Sequence, residues 1–293
     1  MPFLPHLFLA FLEGTVAAAV LALTALGLSL TFGVMRVVNV AHGEFYMLGA
    51  MLAWYLAKLS PGAPLPGFLL ALVGAPLAVG ALAFLTERLV LRRINYDPEA
   101  TIVATIGLLF VIQQLALTVF GAEAKPVAAP FTYRIAFPWF GYSGYKLFVV
   151  AASASILLAA WCVMARTRVG LVMRVTQFDR EMAQAFGIRV GHVYAAVFAA
   201  GAAIAALAAV LLVPIQQAHY LMGLDPLLMS FIVVIIGGLG SIRGSVIAAL
   251  VIGMADGIVS VFFRPTLASI LATLLVAFVL VLRPQGLFGT APR

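Results

Sequence analysis

A chain of 293 residues that is 65% hydrophobic and 9% charged, with a mean hydropathy of +1.17, has too little polar surface to coat a water-soluble domain, and it reads as an integral membrane protein. Its net charge of +7 is not a nucleic-acid footprint, because the basic residues sort into loops on one side of a membrane. The charge-free runs are too long and too uniformly apolar for barrel strands, so the predicted fold is all-α: a polytopic transmembrane helical bundle of about eight to nine hydrophobic segments, including broken or re-entrant helices.

The opening MPFLPHLFLAF has no basic n-region, and the first apolar segment, 8–34, is long enough to stay in the membrane rather than serve as a cleaved signal. The second segment, 39–57, is interrupted by NVAHGE, Asn39 to Glu44, which places Asn39, His42, Gly43 and Glu44 at membrane depth with Arg36 just before them. Polar groups there pair with one another and hold the broken helix in shape, or they face water in a translocation cavity. Segments 66–88 and 100–121 follow. In the latter Gln113 and Gln114 lie about 100° apart on the helix, so at least one is expected to bond a neighbouring helix. The stretch Glu123 to Lys146, with Pro126, Pro130 and Pro138 and the aromatics Phe131, Tyr133, Phe137, Trp139, Phe140 and Tyr142, is the main external excursion, suited to the headgroup level or to an external partner.

After segment 147–165, whose single cysteine, Cys162, is expected to be an inert thiol in apolar surroundings, comes the one long polar island, Arg166 to Arg189. Within it Glu181, Ala183 and Gly187 form an E-x-A-x-x-x-G pattern on a short helix ended by glycine. Such an island is either a solvated loop or a docking element for a partner. Segment 191–214 precedes 226–242, where Asp225 before Pro226 reads as an N-cap. GGLGSIRG, Gly237 to Gly244, interrupts the chain again and puts Gly237, Gly238 and Gly240 beside a pathway or in tight helix packing. Segment 226–242 either crosses fully or re-enters. In 244–263 Asp256 reaches Arg264 or a cavity, and 265–283 closes the series. With the island cytosolic, Arg36, Arg88, Arg92, Arg93, Arg166, Arg168, Arg174, Arg180, Arg189, Arg243, Arg283 and Arg293 fall inside and Lys58, Lys125, Arg134, Lys146 and Arg264 outside. That asymmetry puts the N-terminus outside and the C-terminus in the cytosol.

No catalytic constellation is visible. H-E-x-x-H, G-x-S-x-G and Walker motifs are absent, and the four histidines have no metal-ligand spacing, so neither a catalytic nor a metal site is expected.

NVAHGEFYMLGA after Gly27–Gly33, ERLVLRR at Glu87–Arg93, DREMAQAFGI at Asp179–Ile188, VVIIGGLGSIRGSVIAALVIG at Val233–Gly253 and RPQGLFG at Arg283–Gly289 together resemble the inner-membrane permease subunits of ABC importers for branched-chain amino acids. Met182 departs from the broader importer motif, which has alanine there. The resemblance implies a single transmembrane permease domain over 1–293, with a cytosolic coupling segment at 166–190. It implies a non-enzymatic transport subunit in a bacterial inner membrane, without its own cofactor. ATP and Mg would be bound by two cytosolic ATP-binding subunits docked through Asp179, Arg180, Glu181, Ala183 and Gly187. A second homologous permease, or a second copy of this chain, and a periplasmic or lipid-anchored substrate-binding protein complete the expected assembly. Asn39, His42, Gly43, Glu44, Gln113, Gly237, Gly238 and Gly240 are the expected pathway residues. Urea or short amides are alternative substrates within the same class. An autonomous secondary transporter, for which Glu44 is the one tempting coupling carboxylate, is the alternative outside it.

Overall fold

The computed structural model describes residues 3–263 together with Ile270 and Leu274. Apart from those two residues the ninth predicted segment, 265–283, lies outside the described residues, as do the closing RPQGLFG, Arg264 and the expected cytosolic C-terminus.

Helix α1 (Phe3–Met35) is followed by an irregular stretch, 36–41, and then α2 (His42–Ala57). Helix α3 (Pro64–Thr86) starts with proline at its first position and runs on through a π turn, Glu87–Leu91. Helix α4 (Pro98–Phe120) is capped by Asp97, whose side chain accepts from Ala100 N. The excursion over 123–146 contains a two-stranded antiparallel hairpin, β1 (Arg134–Ala136) with β2 (Gly141–Ser143), before α5 (Gly144–Arg166). Then come α6 (Arg168–Phe178), α7 (Arg180–Ala185), α8 (Val190–Leu212), α9 (Leu224–Gly237) and α10 (Ile242–Phe262).

Among the described residues six helices are long and apolar enough to cross a membrane: α1, α3 with its π turn, α4, α5, α8 and α10. Helices α2 and α9 have 16 and 14 residues. At about 1.5 Å per residue they reach only about 24 and 21 Å, short of the roughly 30 Å hydrocarbon layer. They are the two segments expected to be irregular, but each is a half-helix completed by non-helical chain rather than a full span.

The bundle is built twice over from one plan. Helix α1 lies along α10 as α3 lies along α8, α2 is wedged between α3 and α8, and α9 between α10 and α1. Helices α1 and α8 meet at Gly27 and Gly201, where a Cβ on either would strike the other's backbone. The two half-helices meet at Gly43 and Gly223 in the same way. α1 ends beside the polar island, where Arg36 donates to Gln177 O at 3.2 Å, whereas α8 starts there and ends beside Tyr145, whose hydroxyl donates to Leu211 O at 2.8 Å. The α1–α2–α3 and α8–α9–α10 units therefore run in opposite senses, an inverted repeat.

The break levels follow from these contacts. The His42 ring contacts Thr24 O at 3.0 Å, and Thr24 lies eleven residues before Met35, so α2 begins about 16 Å below the end of α1. Residues 36–41 re-enter to that depth. Because Gly223 touches Gly43, residues 213–223 descend to the same level from the opposite face, and 213–237 completes the crossing left open from the sequence. GGLGSIRG, by contrast, lies at the end of α9 and not at mid-depth. Gly238 (φ 97°) and Gly240 (φ 80°) make the turn into α10, and Gly240 packs on Gly33 beside Gln177. Asp225 is an exposed first-turn residue rather than the cap, which is Gly223, because the helix begins two residues earlier than the Asp-Pro signal suggests. Cys162 is exposed on α5 instead of buried, since only a narrow strip of that helix faces the bundle.

On the face opposite the island, Lys146 pairs with Glu13 at 2.6 Å, Phe8 packs on Phe137 and Phe140, and Lys125 forms a backbone bridge to Ala218. The excursion is thus seated on the ends of α1, α5 and α8.

Candidate functional site

Two places gather the residues singled out by the sequence. The first is the mid-depth junction of the half-helices. Gly43 and Gly223 must be glycine, because a Cβ on either would collide with the other's carbonyl oxygen. The Asn39 side chain accepts from Ala41 N at 3.1 Å and so turns the chain into α2. Val40 N is taken up by Thr105 Oγ1 of α4 at 3.2 Å. His42 and Glu44 are fully enclosed, and Glu44 sits in the first turn of α2 with neither carboxylate oxygen hydrogen-bonded among the described residues. The expected polar knot does not form as a unit. Arg36 points to the island, His42 to α1 and Asn39 to its own turn, so among the described residues Glu44 is left without a cation.

The remaining expected pathway residues lie elsewhere. Gln113 is half-buried on α4, about 12 Å along the helix from Thr105 and the break level, and Gln114 faces outward. Gly237 packs so closely on Gly244 that a side chain on either would displace the other's backbone. Gly237, Gly238 and Gly240 shape the α9–α10 turn.

The second place is the polar island. The sequence suggested one short helix ended by Gly187; the structure has two helices in the island, broken at Asp179 (φ −150°, ψ 113°), whose side chain caps α7 by accepting from Met182 N at 2.9 Å. The end of α7 is a Schellman motif: Ile188 N donates to Ala183 O and Gly187 N to Gln184 O, with Gly187 at φ +78°. Space around Gly187 is open. Ala183 points inward and is fully buried, so its small size serves the chain's own packing and not a partner's approach. Asp179, Arg180, Glu181 and Gly187 are exposed.

Sequence reasoning missed what lies beside them. Phe178, Met182 and Phe186 are 89%, 53% and 76% exposed; Met182 and Phe186 stand one turn apart on α7 and Phe178 ends α6 just across the break, giving the island an exposed apolar ridge. The period of four was readable in an otherwise polar stretch.

Behind the ridge, the Arg180 guanidinium lies 5.7 Å from the Tyr96 ring and 5.8 Å from the Tyr194 ring. Those two rings meet edge to face at 4.8 Å, and the Tyr96 hydroxyl donates to Glu87 Oε1 at 2.5 Å. Burial, and the Glu87 carboxylate, push the Tyr96 hydroxyl above the ordinary phenol range, so it stays a donor.

An inverted repeat of half-helices meeting inside a bundle, with a structured island on one face, defines a polytopic membrane transport subunit. Residues 10–281 match the family described as the permease component of branched-chain amino acid transport systems, and the chain belongs to that family. It is 26% identical to the high-affinity branched-chain amino acid transport system permease protein BraD of Pseudomonas aeruginosa, over 99% of this chain and 98% of that protein. The permease protein LivH of Salmonella typhimurium is likewise 26% identical, over 96% of both chains. A probable branched-chain amino acid transport permease of Methanocaldococcus jannaschii is 26% identical over 95% of this chain.

Proposed function

We propose that this chain is the non-catalytic permease subunit of an ATP-driven ABC importer that moves branched-chain amino acids into the cytoplasm. The observation that carries the reading is the Phe178–Met182–Phe186 ridge, an apolar surface on a capped, structured island at the arginine-rich face. A solvated loop has no reason to keep two phenylalanines in water. Two ATP-binding subunits, which hold the ATP and Mg, dock there, with Asp179, Arg180, Glu181 and Gly187 at or near the contact. A second homologous permease and an external binding protein complete the importer. The arginine asymmetry supports a bacterial inner membrane orientation with the N-terminus outside and the C-terminus cytosolic.

In the same reading, Asn39, His42, Gly43 and Glu44 shape the pathway at mid-depth, where the first turns of α2 and α9 adjoin. Gln113, Gly237, Gly238 and Gly240 act on it through helix position and the α9–α10 turn.

The test is affinity purification of the chain from its native membrane, followed by reconstitution and uptake of labelled leucine. An ATPase subunit should co-purify, and uptake should require ATP and the binding protein. A chain that transports alone, driven by an ion gradient, would be a secondary transporter. Competition by urea but not by valine would move the substrate to the short amides.

A further inference from the structure

Arg180 belongs to the docking island, yet it is turned away from the ridge and onto two tyrosines of the bundle. Tyr194 is buried in the first turns of α8, and Tyr96 lies in the short link between the π turn and α4. Tyr96 and the preceding Asn95 are both left-handed, at φ 58° and φ 54°, a conformation that side-chain-bearing residues adopt at a cost. The link is held in it by the Tyr96 hydroxyl on Glu87, a fully buried carboxylate at the first position of the π turn that continues α3. Tyr96 Oη also adjoins Gly191, where a Cβ would lie 3.9 Å from it. One chain of contacts therefore runs from α7 through Arg180, Tyr96 and Tyr194 to α8, and through Glu87 to α3. α3 and α8 lie against each other and flank the half-helix α2.

We infer that Arg180, Tyr96 and Glu87 are positioning residues that transmit the movement of the docked island to the α3–α8 pair, so that ATP hydrolysis on the partner is converted into opening at the half-helix junction. The inference rests on the importer reading. A cation on two aromatic faces is directional but lets the island slide, whereas the hydroxyl–carboxylate bond is short and charge-assisted. Strain in the 95–96 link gives the joint a second arrangement to relax into when that bond lengthens.

The test uses the whole importer in liposomes, with binding protein and leucine, and reads hydrolysis and uptake on the same vesicles. Tyr96→Phe removes one oxygen and keeps the ring contacts. It should leave the ATPase subunits bound and hydrolysis near the parent's, while uptake per ATP falls about tenfold, the scale of one hydrogen bond to a charged group. Because Arg180 also lies at or near the docking contact, Arg180→Ala is read in the Tyr96→Phe background and per captured ATPase, where uptake should fall no further, since the residues act in series. Glu87→Gln keeps an acceptor for the hydroxyl but not its charge and should retain clearly more uptake than Glu87→Ala. Variants that transport like the parent overturn the relay alone. Variants that shed the ATPase along with uptake assign these residues to docking and also overturn it. A parent complex without any ATPase overturns the importer reading and the relay with it.

Discussion

The Gly43–Gly223 contact makes the sharpest demand on the chain, and Gly43→Ala tests it. The new methyl would land against the Gly223 carbonyl oxygen, with Leu227 Cβ at 2.8 Å and Gly223 C at 2.9 Å. Two of the three obstacles are backbone and cannot rotate away, so the half-helices must part. Overpacking of this kind costs about 1–3 kcal/mol, and a backbone obstacle puts the cost near the top of that range, about 3 kcal/mol. Gly223→Ala should cost about as much. The double variant should cost clearly less than the sum, since one separation admits both methyls. Gly107→Ala is the control: it sits mid-helix in α4 with nothing within 4 Å of its would-be Cβ, and it should be neutral or stabilising by up to about 1 kcal/mol. Reversible unfolding of the purified protein in mixed micelles, followed by far-UV circular dichroism, reads all four. A Gly43→Ala protein that unfolds with the parent's midpoint would refute the close meeting of α2 and α9.

Further outcomes follow from the same contacts. Glu44→Ala should lower uptake at least about tenfold while the assembled complex survives, because the carboxylate has no partner to strand; failure to assemble would make Glu44 a structural residue. Phe186→Asp should abolish capture of the ATPase, with the permease still folded and inserted, as read by co-purification; retained capture would remove the ridge from the interface. In a Cys162→Ala background, Gln184→Cys should react with an impermeant maleimide only from the cytosolic side and Ala128→Cys only from outside; labelling of both from one side would overturn the orientation.

Hydropathy alone placed α1, α3, α4, α5, α8 and α10 to within a few residues, because a run of apolar side chains in lipid has no alternative to the helix. The break at Asn39–Glu44 was legible too, since polar residues at membrane depth stand out. The break at 213–223 was not. Val213 to Gly223 looks like an ordinary external loop, and its depth is set by Gly223 meeting Gly43, 180 residues earlier, which no local pattern encodes. Ala183 was misjudged for a related reason: its role depends on the helix break at Asp179, which rotates α7 so that position 183 faces the bundle and positions 182 and 186 face out. Tyr96 gave no signal in the sequence, because an aromatic in a short polar link is unremarkable until Glu87 and Arg180 are seen around it.

The inverted repeat also fixes an order of assembly. A ribosome delivers α1, α2 and α3 long before α8 exists, and α2 is too short to be stitched across the bilayer as an independent unit. Until α8 and α9 arrive, Gly27 and Gly43 have no counterparts. The first half is therefore an insertion intermediate waiting for its mirror, and α2 is seated only after α8 and α9 have been made. A chain stopped after α5 should be recognised by membrane proteases as unfinished, even though the long helices α1, α3, α4 and α5 are already present.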